Sequence, residues 1–360
     1  MDYQVPKLQF DYQMREELHE RAFQALDRYY TRRCEQSDEE IARRWHRDFS
    51  SLEAYEASVA PNREHLLALL GGWPDRWSRE RGDLAPDGML IDKCEAYTVT
   101  RVFINMFEDV RMDFLLLVPR GLTEPAPVVM AMHGLGSTPE DACGFVPDPG
   151  VYNAFGSRLA EEGYVVVAPR MMGPASKRNW LYRKAMLMGE NLFGAEMFML
   201  SRVADYLQGP DCAAFADPER IGFYGLSQGG MAALYFPALD QRVKVSVMTG
   251  HFYWLKVKMV VPGEGYEAYI CLNEEDKFIQ GELLEFSEAD IASLICPRHF
   301  CIEYGLQDPV LTQLEPENEY PKIRQIYDKL GIPERLVLAI HSGGHEVVMG
   351  EALEFIKKYL

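Results

Sequence analysis

The chain has 360 residues, 48% of them hydrophobic and 12% aromatic, and a formal net charge of -18. This length suits one large domain with an appendage, and the apolar content supplies a sizeable core. The acidic residues are spread along the chain and repel phosphate backbones and anionic lipid, which argues against nucleic-acid and membrane partners and weakly favours a neutral or cationic substrate.

The first stretch, Met1-Asp2-Tyr3-Gln4-Val5-Pro6-Lys7, lacks the basic and apolar regions of a signal peptide. No apolar run approaches membrane-spanning length. The seven cysteines are odd in number, irregularly spaced and form no CxxC pair. They indicate neither a disulfide framework nor a zinc site, and fit buried thiols in a reducing compartment. A cytoplasmic protein is expected.

Residues 1 to about 88 read as a helical extension. Arg15 to Arg33 carries Leu18, Ala22, Phe23, Leu26 and Tyr29 or Tyr30 on one face. Ser37-Asp38-Glu39-Glu40 has the form of a capping box, opening a helix through Ile41, Trp45 and Phe49. Pro61 suits the first turn of a third helix that carries Leu66, Leu67, Leu69 and Leu70 and stops at Gly71-Gly72. No glycine- or serine-rich linker follows, so this region is expected to pack on the main body. Whether it forms part of a lid or a homodimer contact is left open.

From about residue 89 strands alternate with helices. Tyr97 to Phe107 and Asp113 to Val118 predict an antiparallel pair. Short apolar runs at Val128–Met132, Tyr164–Ala168, Ile221–Tyr224, Val243–Met248, His299–Tyr304 and Leu336–Ile340 suit strands covered on both faces. Helices are expected at about 151–162, 189–207, 228–236, 319–330 and 346–359. The alternation predicts an α/β fold with a mostly parallel sheet and an antiparallel start over residues 89–360. Residues 250–295 are irregular, end in a short helix at Ser287–Ile291, and are expected to form a lid-like insertion.

Within this frame Gly225-Leu226-Ser227-Gln228-Gly229 follows an apolar run and precedes Met231-Ala232-Ala233-Leu234-Tyr235. A GxSxG between a strand and a helix is a nucleophile elbow, whose sharp turn calls for glycine two positions to either side of the serine. Serine needs a base, and the base needs an orienting acid. His345, beyond Ser342-Gly343-Gly344, is the candidate base, with His341 the alternative. Asp308 in Tyr304-Gly305-Leu306-Gln307-Asp308-Pro309 is the candidate acid, with Asp276 the alternative. Glu303 is expected inside a strand, supporting the site from behind. An oxyanion hole needs two backbone donors, expected from Gln228 and from Leu135 in His133-Gly134-Leu135-Gly136. His133 is expected to be structural. Trp180, Tyr182, Phe252, Tyr253 and Trp254 are candidates for an aromatic wall or for plain packing. Met171, Met172, Met186, Met188, Met197 and Met199 read as core filler. No cofactor or metal motif is found: there is no GxGxxG at a first strand–helix turn and no phosphate-loop lysine, and His341 and His345 lie on a glycine loop.

The chain resembles the α/β-hydrolase superfamily, in particular its dienelactone-hydrolase-like and acetyl-xylan-esterase-like members. The resemblance covers about residues 90–360. It rests on His133 to Gly136, Gly225 to Gly230, Asp240-Gln241-Arg242-Val243, Ile295-Cys296-Pro297-Arg298 leading into Glu303 to Asp308, and Gly343-Gly344-His345-Glu346. It implies Ser227 as nucleophile, Asp308 as acid and His345 as base, in a serine esterase acting on a small-molecule ester such as an acetylated sugar. Dienelactone hydrolases use cysteine where this chain has serine, which argues against their particular reaction. The N-terminal helices also resemble those of α/β-hydrolases that cleave carbon–carbon bonds in aromatic ketones. Cleavage of a carbon–carbon or amide bond by the same triad is the alternative, and a non-catalytic binding protein the further one.

Overall fold

The computed structural model describes residues 12–73, 77, 82–262, 268–310 and 315–360. The signal-peptide reading of Met1 to Lys7 lies outside them. A nine-stranded sheet runs in the order β1-β2-β3-β5-β4-β6-β7-β8-β9. Its strands are β1 (Asp87–Lys93), β2 (Tyr97–Phe107), β3 (Val110–Pro119), β4 (Ala126–Met132), β5 (Val165–Pro169), β6 (Ala216–Leu226), β7 (Val243–Thr249), β8 (His299–Gly305) and β9 (Leu336–His341). β1, β2, β3 and β5 pair antiparallel in succession. From β5 through β4, β6, β7 and β8 to β9 every pairing is parallel.

The helices are α1 (Tyr12–Glu35), α2 (Ser37–Arg44), α3 (Leu52–Leu69), α4 (Pro139–Cys143), α5 (Phe155–Glu161), α6 (Ala175–Leu187), α7 (Leu192–Leu207), α8 (Gln228–Leu239), α9 (Leu255–Val260), α10 (Glu288–Ser293), α11 (Glu315–Lys329) and α12 (Gly350–Tyr359). The central strands are apolar without a break because both faces are covered. On β4, Val128, Met130 and Met132 join one core, shared with α3, α7 and α8. Val129 and Ala131 between them point into the other core, shared with α4, α5 and α12.

Three features of the N-terminal region differ from the sequence expectation. Ser37 is the first residue of α2 rather than its cap, and Gln36 before it has helical backbone and makes no side-chain cap bond. α1 runs to Glu35, which leaves one residue for the join, and α2 ends at Arg44, short of Trp45 and Phe49. Pro61 sits inside α3 rather than at its start. The true start is Ser51, whose Oγ accepts from the Ala54 N–H at 3.0 Å. Tyr55, Val59 and Leu66 are fully buried along one stripe of α3, and this burial holds the helix through the proline. Ser51→Ala is expected to lower stability by about 1 kcal/mol, read as a fall in the thermal unfolding midpoint.

α2 and α3 pack on the sheet-bearing body. Tyr55 Oη donates to the Ser293 carbonyl at 2.9 Å, and Arg63 Nε to the Ala238 carbonyl at 2.8 Å. Trp45 meets Phe286 edge-on, centroids 5.7 Å apart. The predicted apolar face of α1, with Leu18, Phe23, Leu26 and Tyr30, is exposed. Residues 250–295 hold α9, several short turns and α10, which Ser287 caps by accepting from the Asp290 N–H at 3.2 Å. Residues 263–267 of that stretch lie outside the described set. No described helix is long and apolar enough to cross a membrane.

Candidate active site

Ser227 joins β6 to α8 with φ 62° and ψ -115°, a sparsely populated conformation that surrounding contacts must hold. Two glycines permit the turn. A Cβ on Gly225 would lie 2.1 Å from the Gly229 carbonyl oxygen, and one on Gly229 would lie 2.3 Å from the Met132 carbonyl oxygen. The Ser227 N–H donates to the Thr249 carbonyl at the end of β7, 2.9 Å away, and its carbonyl accepts from the Met231 N–H at 2.8 Å. The serine is thus fixed from the neighbouring strand β7 and from its own helix.

Asp308 leaves β8 on a short loop. Its N–H bonds the Gly305 carbonyl at 3.1 Å, while the N–H groups of Leu306 and Gln307 bond the His341 and Gly343 carbonyls, each at 2.9 Å. The acid loop and the histidine loop are therefore laced together. The Asp308 side chain is only 1% exposed. One oxygen accepts from the Val310 N–H at 2.8 Å, and the other lies 2.7 Å from His345 Nδ1. With Nδ1–H donating to the carboxylate, the ring presents Nε2 as an acceptor. The ring rests on Gly250, where a Cβ would come within 2.7 Å of its Cε1. Gly250 directly follows Thr249, the residue whose carbonyl takes the Ser227 N–H.

Glu303 stands behind this arrangement. Tyr224 Oη and Thr249 Oγ1 donate to its Oε2 at 2.8 and 2.7 Å, and the Met349 N–H donates to its Oε1 at 3.0 Å. It ties the strands that carry the serine to the chain following the histidine. Asp276, the alternative acid, sits elsewhere: its carboxylate bonds Arg178 Nε at 2.8 Å. His341 is engaged locally, its Nδ1 accepting from the Gly343 N–H at 3.1 Å.

Gln228 is the first residue of α8, where N–H groups have no partner within the helix. Leu135, after β4, lines the same cleft as Ser227 and Gln228. The loop that carries it passes close over the serine, since a Cβ on Gly134 would meet Ser227 Cβ at 3.1 Å. Tyr152 Oη anchors this loop by accepting from the Gly134 N–H at 2.8 Å. His133 is buried, its Nε2 accepting from the Met171 N–H at 3.1 Å and its Nδ1 facing the Gly134 carbonyl at 2.8 Å. Burial pushes its pKa down to about 4, so it is a neutral support for the loop.

The cleft encloses about 630 Å³. Besides Leu135, Ser227, Gln228 and Met231, it is lined from the 250–310 region by His251, Tyr253, Lys258, Tyr269, Leu272, Glu274, Lys277, Pro309 and Val310. Of the five aromatics considered for a wall, Tyr253 alone lines it. Phe252 is core, Tyr182 Oη bonds the Phe278 carbonyl at 2.6 Å, and Trp180 is exposed. Among the methionines read as core filler, Met171, Met197 and Met199 are buried, but Met186 and Met188 are exposed. Lys258, Tyr269, Glu274 and Lys277 carry no sequence motif, because only the folded path of the insertion brings them beside the serine. His251 Nε2 lies 3.0 Å from Glu288 Oε1. Burial drives the histidine pKa well down and the glutamate pKa well up, each toward its uncharged form.

Among the described residues no cluster of three or more His, Cys, Asp or Glu side chains could hold a metal ion. No family model matches the chain. It is 24% identical over 320 residues to a curated protein of Bacillus subtilis (strain 168) that bears the name "Putative hydrolase YtaP", covering 84% of this chain and 99% of that one. Among solved structures it resembles a "putative acetyl xylan esterase" from Bacteroides fragilis NCTC 9343, with TM-score 0.65 and 16% identity over 83% of this chain and 78% of the other. It also resembles a glucuronoyl esterase from Solibacter usitatus, with TM-score 0.61 and 15% identity over 86% and 93%. The chain has the α/β-hydrolase fold, with the antiparallel start and parallel remainder expected from its sequence.

Proposed function

We propose that this protein is a serine carboxylester hydrolase acting on small esters, with an acetylated sugar as the first candidate substrate. The observation that carries the reading is the Asp308–His345 pair at 2.7 Å, its ring lying over Gly250 beside the strained elbow of Ser227. The proposed chemistry starts with His345 Nε2 taking the Ser227 proton as Oγ attacks the ester carbonyl. Asp308 holds the ring and stabilises its charged form. The N–H groups of Leu135 and Gln228 are proposed to receive the developing oxyanion; losing one such donor costs roughly 3 kcal/mol of barrier. His345 then gives its proton to the leaving alcohol, an acyl-Ser227 ester remains, and water repeats the cycle to release the acid. The likeness to structures that bear the names putative acetyl xylan esterase and glucuronoyl esterase supports an ester as substrate.

Two measurements test this. A fluorophosphonate probe is expected to label Ser227 and no other residue; failure to label favours a binding protein. A panel of small acetyl esters, aromatic diketones and aminoacyl amides is expected to show turnover of the esters. Activity confined to the diketones or amides would replace the ester reading with carbon–carbon or amide cleavage.

A further inference from the structure

The cleft beside Ser227 contains a charge that the proposed reaction does not use. Lys277 lines it, yet its side chain is only 5% exposed. Its Nζ has no hydrogen-bond partner among the described residues. The nearest carboxylates, Asp276 and Glu274, lie at 3.6 and 3.7 Å, inside ion-pair range but beyond hydrogen-bond reach. Arg178 engages one oxygen of Asp276, its Nε and Nη2 approaching Oδ2 at 2.8 and 2.7 Å, while Oδ1 has no hydrogen-bond partner among the described residues. A second ammonium, that of Lys258, enters the same cleft from α9. It donates to the Val310 carbonyl at 2.7 Å and sits over the Tyr253 and Tyr269 rings at 5.2 and 5.3 Å. Among the described lining residues Glu274 is the carboxylate.

A desolvated ammonium whose N–H groups find no acceptor is costly to keep. A neutral hydroxyl could give it one ordinary bond, but an anionic oxygen gives a charge-assisted one. Burial pulls the Lys277 pKa down and Asp276 offsets part of that; a bound anion would add to the offset. Glu274 and Asp276 close by disfavour a second negative charge on the ligand. We propose that Lys277 is a specificity residue that binds a singly charged oxyanion, a carboxylate or sulfonate, carried by the ester substrate in addition to its scissile bond. This rests on the reading of Ser227 as nucleophile. It also runs against the bulk charge, since a surface of net charge -18 favours neutral over anionic ligands.

The test uses matched esters: 3-carboxyphenyl and 3-sulfophenyl acetate against neutral 3-carbamoylphenyl acetate, and mono(4-nitrophenyl) glutarate against its neutral terminal amide. In the wild-type protein kcat/KM is expected to favour the anionic member by about tenfold or more in at least one set. In Lys277→Met that ratio is expected to fall toward one. A wild-type ratio at or below one in both sets overturns the proposal, whatever the fold of the variant. So does a ratio that Lys277→Met and Lys277→Gln leave unchanged. If no ester turns over and no fluorophosphonate labels Ser227, the hydrolase reading has failed by itself. Calorimetric binding of 3-hydroxybenzoate or glutarate, compared with 3-hydroxybenzamide, then decides on Lys277: preference for the anion that is lost in Lys277→Met supports it, and equal binding overturns it.

Discussion

Ser227→Ala is expected to lower kcat for a small acetyl ester by about 10⁶-fold while leaving the unfolding midpoint nearly unchanged. The structural half follows from the elbow. Alanine keeps the Cβ that this φ of 62° already accommodates, and the bonds fixing the turn are made by backbone atoms of Ser227, Thr249 and Met231. The kinetic half follows from the lack of another nucleophile in the same position. His345→Ala should cost a similar factor, because an unassisted hydroxyl holds its proton. Ser227→Ala with His345→Ala should lose little more than either alone, since the two act as one unit. Asp308→Asn should cost about 10⁴-fold, because an amide facing Nδ1 favours the wrong tautomer. Initial rates and circular-dichroism melts on the same preparations give both halves. Retention of more than about 1% of the rate in a clean Ser227→Ala sample would end the serine-hydrolase reading.

What could be read from the sequence was what strand ends and turns impose locally. The runs at Val128–Met132, Val243–Met248 and His299–Tyr304 became strands because a continuous apolar segment with both faces buried has few other homes. The elbow at Ser227, the loop holding Leu135 and the turn holding Asp308 each directly follow such a strand, so their positions came with the topology. α6 escaped because its pattern is inverted. Arg178 and Asn179 are its buried residues, while Trp180, Met186 and Leu187 face outward, so apolar periodicity cannot reveal it. β1 escaped because every residue of this edge strand is exposed and it carries no alternation to read. Lys258 and Lys277 escaped because the course of residues 250–295 depends on long-range polar contacts rather than on propensity. Arg178, Asn179 and Tyr182 of α6 hold it: Asn179 Nδ2 donates to the Asn273 carbonyl at 2.9 Å and Tyr182 Oη to the Phe278 carbonyl at 2.6 Å.

The same contacts make Arg178 the side chain whose loss should most damage the fold. Its guanidinium is fully buried. It grips Glu196 in a fork, Nη1 to Oε1 at 2.6 Å and Nη2 to Oε2 at 2.8 Å, and turns Nε to Asp276 Oδ2 at 2.8 Å. Burial opposes its charge, but the two carboxylates outweigh burial and raise its pKa. Asp276 in turn has its pKa lowered: burial works to raise it, and Lys277 and Arg178 together overcome that. Taken out, the arginine would leave two carboxylates in a dry interior with Lys277 as the remaining cation. Arg178→Met is therefore expected to cost roughly 3–5 kcal/mol, read by urea or thermal unfolding. Arg178→Lys keeps the charge but loses the planar fork, and should fall between the two. The informative measurement is the double variant. Arg178→Met with Glu196→Gln removes one of the stranded charges, so it should be more stable than Arg178→Met alone even though it carries one more substitution. Additive losses would mean that α6 is held by its packing and by Asn179 and Tyr182, with the ion cluster contributing little. Recovery would mean that the cleft wall formed by Glu274 and Lys277 is positioned by electrostatics from behind.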